Sequence, residues 1–190
     1  MTVDSALELL IAELGQKMGL GNLALDADGA CALRFDGRCV INMQYRPDQE
    51  ALWLYADLGV PASGPDLYAD LLRGNLFWRA TLGATLSLSG DEPAHVILAL
   101  PIPWRGLDGI ELNAKLETFL NTVEDWEALV ADRGGDETDD APAAADAPAE
   151  SPMTISSFTV VTLNRSVLVS AHAAGAGASI RTARAQHFNS

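Results

Sequence analysis

The sequence lacks long hydrophobic runs, and no segment approaches the roughly 18 uninterrupted apolar residues that a membrane-spanning helix needs. The N-terminus has no basic segment followed by an apolar run, so it does not predict a secretory signal. Cysteine is scarce, with only Cys31 and Cys39. If Asp36-Gly37 forms a two-residue hairpin turn, the two thiols lie on opposite faces of the sheet, which disfavours a disulfide. Together these absences favour a reducing, cytoplasmic location.

Basic residues are few, with 12 Lys and Arg against 26 Asp and Glu and a net charge of −14. Such an acidic chain argues against nucleic acid or an anionic membrane as a partner and suits a basic or neutral polypeptide. The charge divides the chain into three parts. Residues 1–133 form the candidate folded domain, residues 134–152 hold acids but no bases, and residues 153–190 hold no acids. The middle part is rich in Ala and Pro and cannot build a core, so it is predicted to be a linker.

Motifs that carry enzyme chemistry are also missing. The segment Gly19–Ala24 matches the G-x-G-x-x-A dinucleotide pattern by letter, but a predicted helix precedes it and a predicted strand follows it, which reverses the required order. His95, His172 and His187 are far apart, and neither cysteine has metal-ligand spacing. The sequence therefore predicts no enzyme activity, no metal and no cofactor. Sequence motifs do not reveal an active site that is assembled from scattered residues, so such an enzyme stays open as an alternative.

Hydrophobic periodicity predicts three helices and six short strands. Apolar residues recur at helical spacing over Asp4–Gly19 and Asp108–Asp132, each along a single stripe. A third helix is predicted between the fourth and fifth strands. The order α-β-β-β-β-α-β-β-α predicts an α+β fold, an antiparallel twisted sheet flanked by three helices. The strand signals lie at Leu23–Ala27, Cys31–Phe35, Arg38–Tyr45, Ala51–Leu58, Thr85–Ser89 and His95–Leu100.

The central helical segment, Asp66–Ala80, differs from the other two helices because it is apolar on two sides. A helix that lies on one sheet needs only one apolar face, so we expect the second face to meet another copy of the chain; burial inside a larger core is the alternative. The two faces consist of Leu67, Leu71 and Trp78 on one side, and of Tyr68, Leu72 and Leu76, with Asn75 at the margin, on the other.

The fourth predicted strand is also apolar on both faces, because Trp53 and Tyr55 alternate with a row of leucines. One face is expected to pack on the helices. The two rings on the other face have two interpretations, half-burial between neighbouring strands or a binding surface, and the pattern does not separate them.

Four stretches within residues 5–131 follow one another in a characteristic order. They are ALELLIAELGQKMGL at the start, ALRFDGRCVINMQY in the hairpin, DLYADLLRGNLFW in the central helix and IELNAKLETFLNTVEDWEAL at the end. With these stretches, residues 5–131 resemble the class I type III secretion chaperones of the CesT/Tir chaperone family. The resemblance implies a cytoplasmic homodimer that binds the N-terminal segment of a secreted effector or apparatus protein and keeps it soluble and competent for export. It implies no cofactor, no nucleic-acid partner and no membrane insertion.

A non-secretory regulatory or scaffold protein on the same fold, such as a YbjN-like domain, stays open as an alternative function.

Transferred to this sequence, the resemblance implies two sets of site residues. The implied dimer interface comprises Tyr68, Leu72, Asn75 and Leu76. The implied polypeptide-binding surface comprises Leu9, Leu33, Phe35, Val40, Trp53 and Tyr55.

The segment after the linker, Met153–Ser190, departs from that family. It lacks acids and carries a strand signal, FTVVTL, at Phe158–Leu163 and a second signal at Ser166–Ser170. Its composition resembles the start of a secreted substrate. Two interpretations follow: a tethered ligand whose FTVVTL segment docks on its own or a neighbouring domain, or a disordered extension.

Overall fold

The computed structural model describes residues 3–61, 65–132 and 160–163. Their helices are α1 (Ser5–Lys17), α2 (Pro65–Gly74) and α3 (Gly109–Asp132), with short 3₁₀ turns at Pro47–Gln49 and Leu76–Trp78. Their strands are β1 (Ala30–Phe35), β2 (Cys39–Arg46), β3 (Ala51–Asp57), β4 (Thr85–Leu88), β5 (Val96–Pro103) and β6 (Val160–Leu163).

The six strands form one sheet in the order β4-β5-β3-β2-β1-β6. Every neighbouring pair is antiparallel except β1 and β6, which run parallel. The predicted α+β class is therefore confirmed, with the strands of a meander in one layer and three helices beside it.

The helices pack on one face of the sheet, which we call the inner face. The Asp4 carboxylate caps α1 by accepting from the N–H of Ala6, and Asp108 caps α3 by accepting from Ile110 and Glu111. A Cβ on Gly109 would lie 2.8 Å from the Cβ of Glu13, so glycine permits the close approach of α3 to α1. The predicted stripes of both helices are buried in one core: Leu7, Leu10, Ile11, Leu14 and Met18 from the first helix, and Leu112, Leu116, Phe119, Val123, Trp126 and Val130 from the third.

The β1–β2 register differs by one residue from the predicted two-residue turn. Phe35 pairs with Cys39, and the loop between them begins with Asp36 and Gly37 at φ values of 50° and 73°. A one-residue shift moves a whole strand to the opposite face, so Cys31 and Cys39 both point inward instead of to opposite faces. No disulfide joins them, because they stand at opposite ends of the ladder.

The predicted strand Leu23–Ala27 is not a strand in the structure. The Asp26 carboxylate accepts hydrogen bonds from the N–H groups of Asp28 and Ala30, both at 2.9 Å, and this local turn replaces ladder pairing. Leu23 is nevertheless buried. The first meander therefore has three strands instead of the predicted four.

The central helix is shorter than predicted. It ends at Gly74 and the chain continues into the 3₁₀ turn, where Phe77 and Trp78 both have a φ of 53°. Trp78 is exposed, and it does not share the buried face with Leu67 and Leu71 as expected. The break lies where Gly74 packs on α3, because a Cβ at this position would clash with the Trp126 ring.

The C-terminal strand β6 lies within the predicted FTVVTL signal. Leu163 is 7% exposed and belongs to the core, and its carbonyl accepts from the N–H of Asp36 at 2.9 Å. The interpretation of Met153–Ser190 as a tethered ligand stays a prediction, because only residues 160–163 of that segment are described. The predicted linker at residues 134–152 and the second strand signal at Ser166–Ser170 lie outside the described residues, so the domain boundaries stay predictions.

Candidate polypeptide-binding and self-association surfaces

The face of the sheet turned away from the helices, the outer face, carries apolar side chains that are only half-buried. Alternation along β2, β3 and β5 sends one set of residues into the core and leaves Val40, Trp53, Tyr55 and Ile97 on the outer face. Burial raises the pKa of the Tyr55 phenol. The outer face is thus an apolar surface that the described helices leave uncovered.

A groove of about 580 Å³ crosses this outer face, and we call it the outer groove. Its floor is formed by Trp53, Tyr55 and Ile97, and its rim by amide, hydroxyl and charged groups. The Trp53 indole N–H donates to the Gln49 side-chain oxygen at 2.8 Å, which orients the ring. An apolar floor on an open sheet face can hold the alternate side chains of an extended polypeptide. The lining residues are Gln44, Arg46, Gln49, Trp53, Tyr55, Ser87, Leu88, Ser89, Gly90, Asp91, Ile97 and Ala99.

A second apolar surface, the apolar ridge, lies on α2 and the segment after it. The exposed fractions of Leu72 and Phe77 are 73% and 76%, high values for such large side chains. Two consecutive bulky residues at positive φ store backbone strain, which persists only where surrounding contacts hold it. The ridge consists of Tyr68, Leu72, Leu76, Phe77, Trp78 and Leu82.

The predicted dimer residues therefore do not all lie on one surface. Tyr68, Leu72 and Leu76 are exposed on the ridge, while the inner helical face with Leu67 and Leu71 is buried. Asn75 is half-buried, and its side-chain amide forms two hydrogen bonds with the backbone of Leu86. Its amide is thus engaged within the chain, and its role in a dimer stays a prediction.

The predicted polypeptide-binding residues separate into three groups. Leu9 is exposed on α1, and Val40, Trp53 and Tyr55 lie half-buried on the outer face. Leu33 and Phe35, by contrast, are 0% and 1% exposed in the core, so they offer no surface to a ligand. The reason is the β1–β2 register: the expected two-residue turn would have put them on the face of Val40, and the observed pairing puts them opposite.

Sequence reasoning missed Phe77, Trp78 and Leu82 in the ridge and Ile97 in the groove. The available signal for the ridge was Gly74-Asn75, a helix-terminating pair followed by three consecutive large apolar residues that no helix can bury on one face. For Ile97, the only sequence signal was the alternation of inward and outward positions along its strand.

Two of the described titratable side chains, Arg105 and His95, contact carboxylates within the domain. Arg105 binds Asp4 and Glu50 at 3.2 Å and lies 4.6 Å from the Trp104 ring centre. His95 contacts Asp57, and the Ser89 hydroxyl accepts from the backbone N–H of His95, not from its ring.

Within residues 3–61, 65–132 and 160–163, no cluster of three or more His, Cys, Asp or Glu is arranged to hold a metal. None of the helices in these ranges combines the length and apolar character that crossing a bilayer requires.

Three features are typical of α+β proteins that present apolar surfaces to other polypeptides. They are the single helical layer, the uncovered sheet face and the apolar ridge. The sequence model of the Tir chaperone protein (CesT) family matches residues 9–127. The chain therefore belongs to this family, and the resemblance seen in the sequence is confirmed.

The similar proteins cover most of the domain. A Chlamydia pneumoniae protein is 33% identical over 128 residues, which are 63% of this chain and 92% of that protein. The Tir chaperone of Citrobacter freundii is 23% identical over 133 residues, 70% of this chain and 84% of that one. The crystal structure of the ExsC–ExsE complex superposes with a TM-score of 0.59 at 26% identity, covering 68% of this chain and 97% of that chain.

Proposed function

We propose that this protein is a type III secretion chaperone that binds the N-terminal segment of a secreted effector or apparatus protein and keeps it soluble and export-competent. The outer groove is the observation that carries the proposal. The three helices cover the inner face of the sheet and leave the aromatic floor of the groove uncovered. The chain also belongs to a family of polypeptide-binding proteins, which makes a polypeptide the expected ligand of this groove. The chaperone works in the cytoplasm, without enzyme activity or a cofactor.

An extended segment fits the outer groove for a geometric reason. Alternate side chains of an extended strand point the same way, so they reach successive apolar positions along the floor at Trp53, Tyr55 and Ile97. The polar rim residues Gln44 and Ser87 already donate hydrogen bonds within the chain, to the carbonyls of Asp28 and Ile97, so the apolar floor carries the fit. Binding in this way keeps the segment unfolded and covers its apolar residues.

Self-association is the second element of the proposal. The six large exposed side chains of the apolar ridge all come from the segment between Tyr68 and Leu82, and they are too apolar for a typical solvent-facing surface. A second copy that packs its own ridge against this one by a twofold axis covers both surfaces at once. Within one chain, Trp78 is already held by hydrogen bonds from its backbone N–H to the Asn75 carbonyl and from its indole N–H to the Thr85 hydroxyl, so the second copy covers the exposed rings of this segment.

The proposal is tested by capturing the client with the full chain. We expect the tagged protein, purified from its native host, to retain a protein whose N-terminal region is protected from hydrogen exchange in the complex. Trp53→Asp is expected to lose it, because a carboxylate in the apolar floor is costly to bury. Ile110→Asp, which changes a 40% exposed residue outside the groove, serves as the matched control and should retain it. Equal capture by both variants, or protection confined to another region of the client, contradicts the proposal.

A regulatory role is the second candidate, and one relative favours it. ExsC of Pseudomonas aeruginosa, a transcriptional anti-antiactivator, is 30% identical over 79 residues, which are 41% of this chain and 54% of ExsC. The same capture experiment separates the two functions. An exported client that is unstable without this protein supports the chaperone, whereas a partner that stays in the cytoplasm and controls transcription supports the regulator.

A further inference from the structure

The edge of the sheet at β1 is occupied by a strand from the chain's own C-terminal part. Residues Ala32 to Phe35 pair in parallel with Val160 to Leu163. The pairing continues into the hairpin loop, where the Asp36 N–H donates to the Leu163 carbonyl at 2.9 Å. Without β6, β1 would be an edge strand with unpaired backbone groups.

Side chains of β6 alternate between the core and the solvent. Leu163 is buried and Val161 packs half-buried against the core, while Thr162 between them is exposed. The β1 edge therefore accepts a parallel strand with an apolar residue at every second position. That preference is set by the core side chains it meets, and it does not depend on how the strand is connected to the chain.

The charge of the chain fits such an occupant. The domain at residues 1–133 carries −11, and residues 153–190, which include β6, contain no acid and three arginines. A strand without acids is not repelled by this surface, whereas the acidic stretch at residues 134–152 is. The segment that occupies the edge thus has the composition that an acidic domain favours.

We propose that β6 is an internal competitor for a strand-docking site at the β1 edge, and that a partner strand of similar pattern displaces it. This inference rests on the proposed chaperone function. The partner strand is free of acids, places branched apolar residues at alternate positions and runs parallel to β1. Occupation by β6 in the free protein covers the edge and prevents pairing with other chains.

The competition should lower the apparent affinity of an added strand by a measurable factor. A tethered strand acts at an effective concentration on the order of millimolar. If β6 holds the edge in about nine of ten molecules, an added strand binds with an apparent affinity about tenfold weaker than to an empty edge. Disabling β6 should therefore strengthen binding of an added peptide by about that factor or more.

The test uses the full chain and a fluorescent peptide of residues 156–166. We expect the peptide to bind Leu163→Asp at least about tenfold more tightly than wild type, because the charge removes the internal strand from the core. Thr162→Asp is the matched control: it adds the same charge at an exposed position opposite Arg34 and should behave like wild type. The peptide that itself carries Leu163→Asp should not bind.

Two outcomes overturn the inference. One is equal peptide affinity of Leu163→Asp and wild type, and the other is binding of the charged peptide as tightly as the parent. If Leu163→Asp does not fold, Val161→Asp replaces it, with the same expectation. Because the assay involves neither a client nor the Trp53 floor, its failure leaves the proposed function intact, and failure of client capture leaves a positive peptide result standing.

Discussion

The side chain of Asn75 binds both backbone polar groups of Leu86. Its Nδ2 donates to the Leu86 carbonyl at 3.0 Å and its Oδ1 accepts from the Leu86 N–H at 2.8 Å. One amide thus pairs with β4 as a neighbouring strand would, and it joins the end of α2 to the sheet. This link fixes the point at which the chain leaves the helix and enters the apolar ridge.

Replacing Asn75 with alanine is expected to lower the free energy of unfolding by about 1–3 kcal/mol, because it leaves two backbone groups without their partners. Denaturation with urea, monitored by circular dichroism, measures the loss. Asn22→Ala, at an exposed turn position, is the control and should change stability by less than about 0.5 kcal/mol. Equal stability of both variants would show that the Asn75 bonds contribute nothing.

The observed β1–β2 register is tested by a pair of truncations. Phe35→Ala is expected to cost about 3–5 kcal/mol, since it empties a core site, while Val40→Ala on the outer face should cost about 1 kcal/mol. Thermal or chemical unfolding of the two variants gives the comparison. A larger loss of stability for Val40→Ala than for Phe35→Ala would mean that β1 and β2 present the opposite face to the core.

The sequence alone predicted the elements with strong periodicity. The stripes of α1 and α3 were correct because many residues at helical spacing agree, and both helices begin at a capping Asp. The two faces of α2 were also visible, since Leu67 and Leu71 are buried while Tyr68 and Leu72 are exposed. Long-range packing was not needed for these predictions.

The errors arose where a single residue decides the geometry. One additional loop residue after Gly37 reversed the faces of Leu33 and Phe35, and periodicity cannot detect such a shift because alternation looks the same in either register. The break after Gly74 depends on contact with Trp126, which is distant in sequence. Pairing of β6 with β1 likewise joins segments that no local pattern connects.

Stability should depend on pH through Glu127. Burial, with repulsion from Glu124 as a second cause, raises the pKa of this carboxyl. A group whose pKa is higher in the folded chain destabilises the fold when ionised, and this effect disappears as the pH falls through the raised pKa. Glu127→Gln is therefore expected to raise the melting temperature slightly at pH 7 and to give no gain at acidic pH. A gain that is the same at both pH values would contradict this account.

Self-association through the apolar ridge is the central claim, and sedimentation velocity on the full chain at micromolar concentration tests it directly. We predict a particle of twice the chain mass for the wild type, and a particle of single chain mass when Leu72→Asp and Leu76→Asp are combined. Leu9→Asp, at a residue that is 67% exposed on α1, should leave the dimer unchanged. A wild-type chain that sediments as a monomer, or a ridge variant that still sediments as a dimer, would contradict the account.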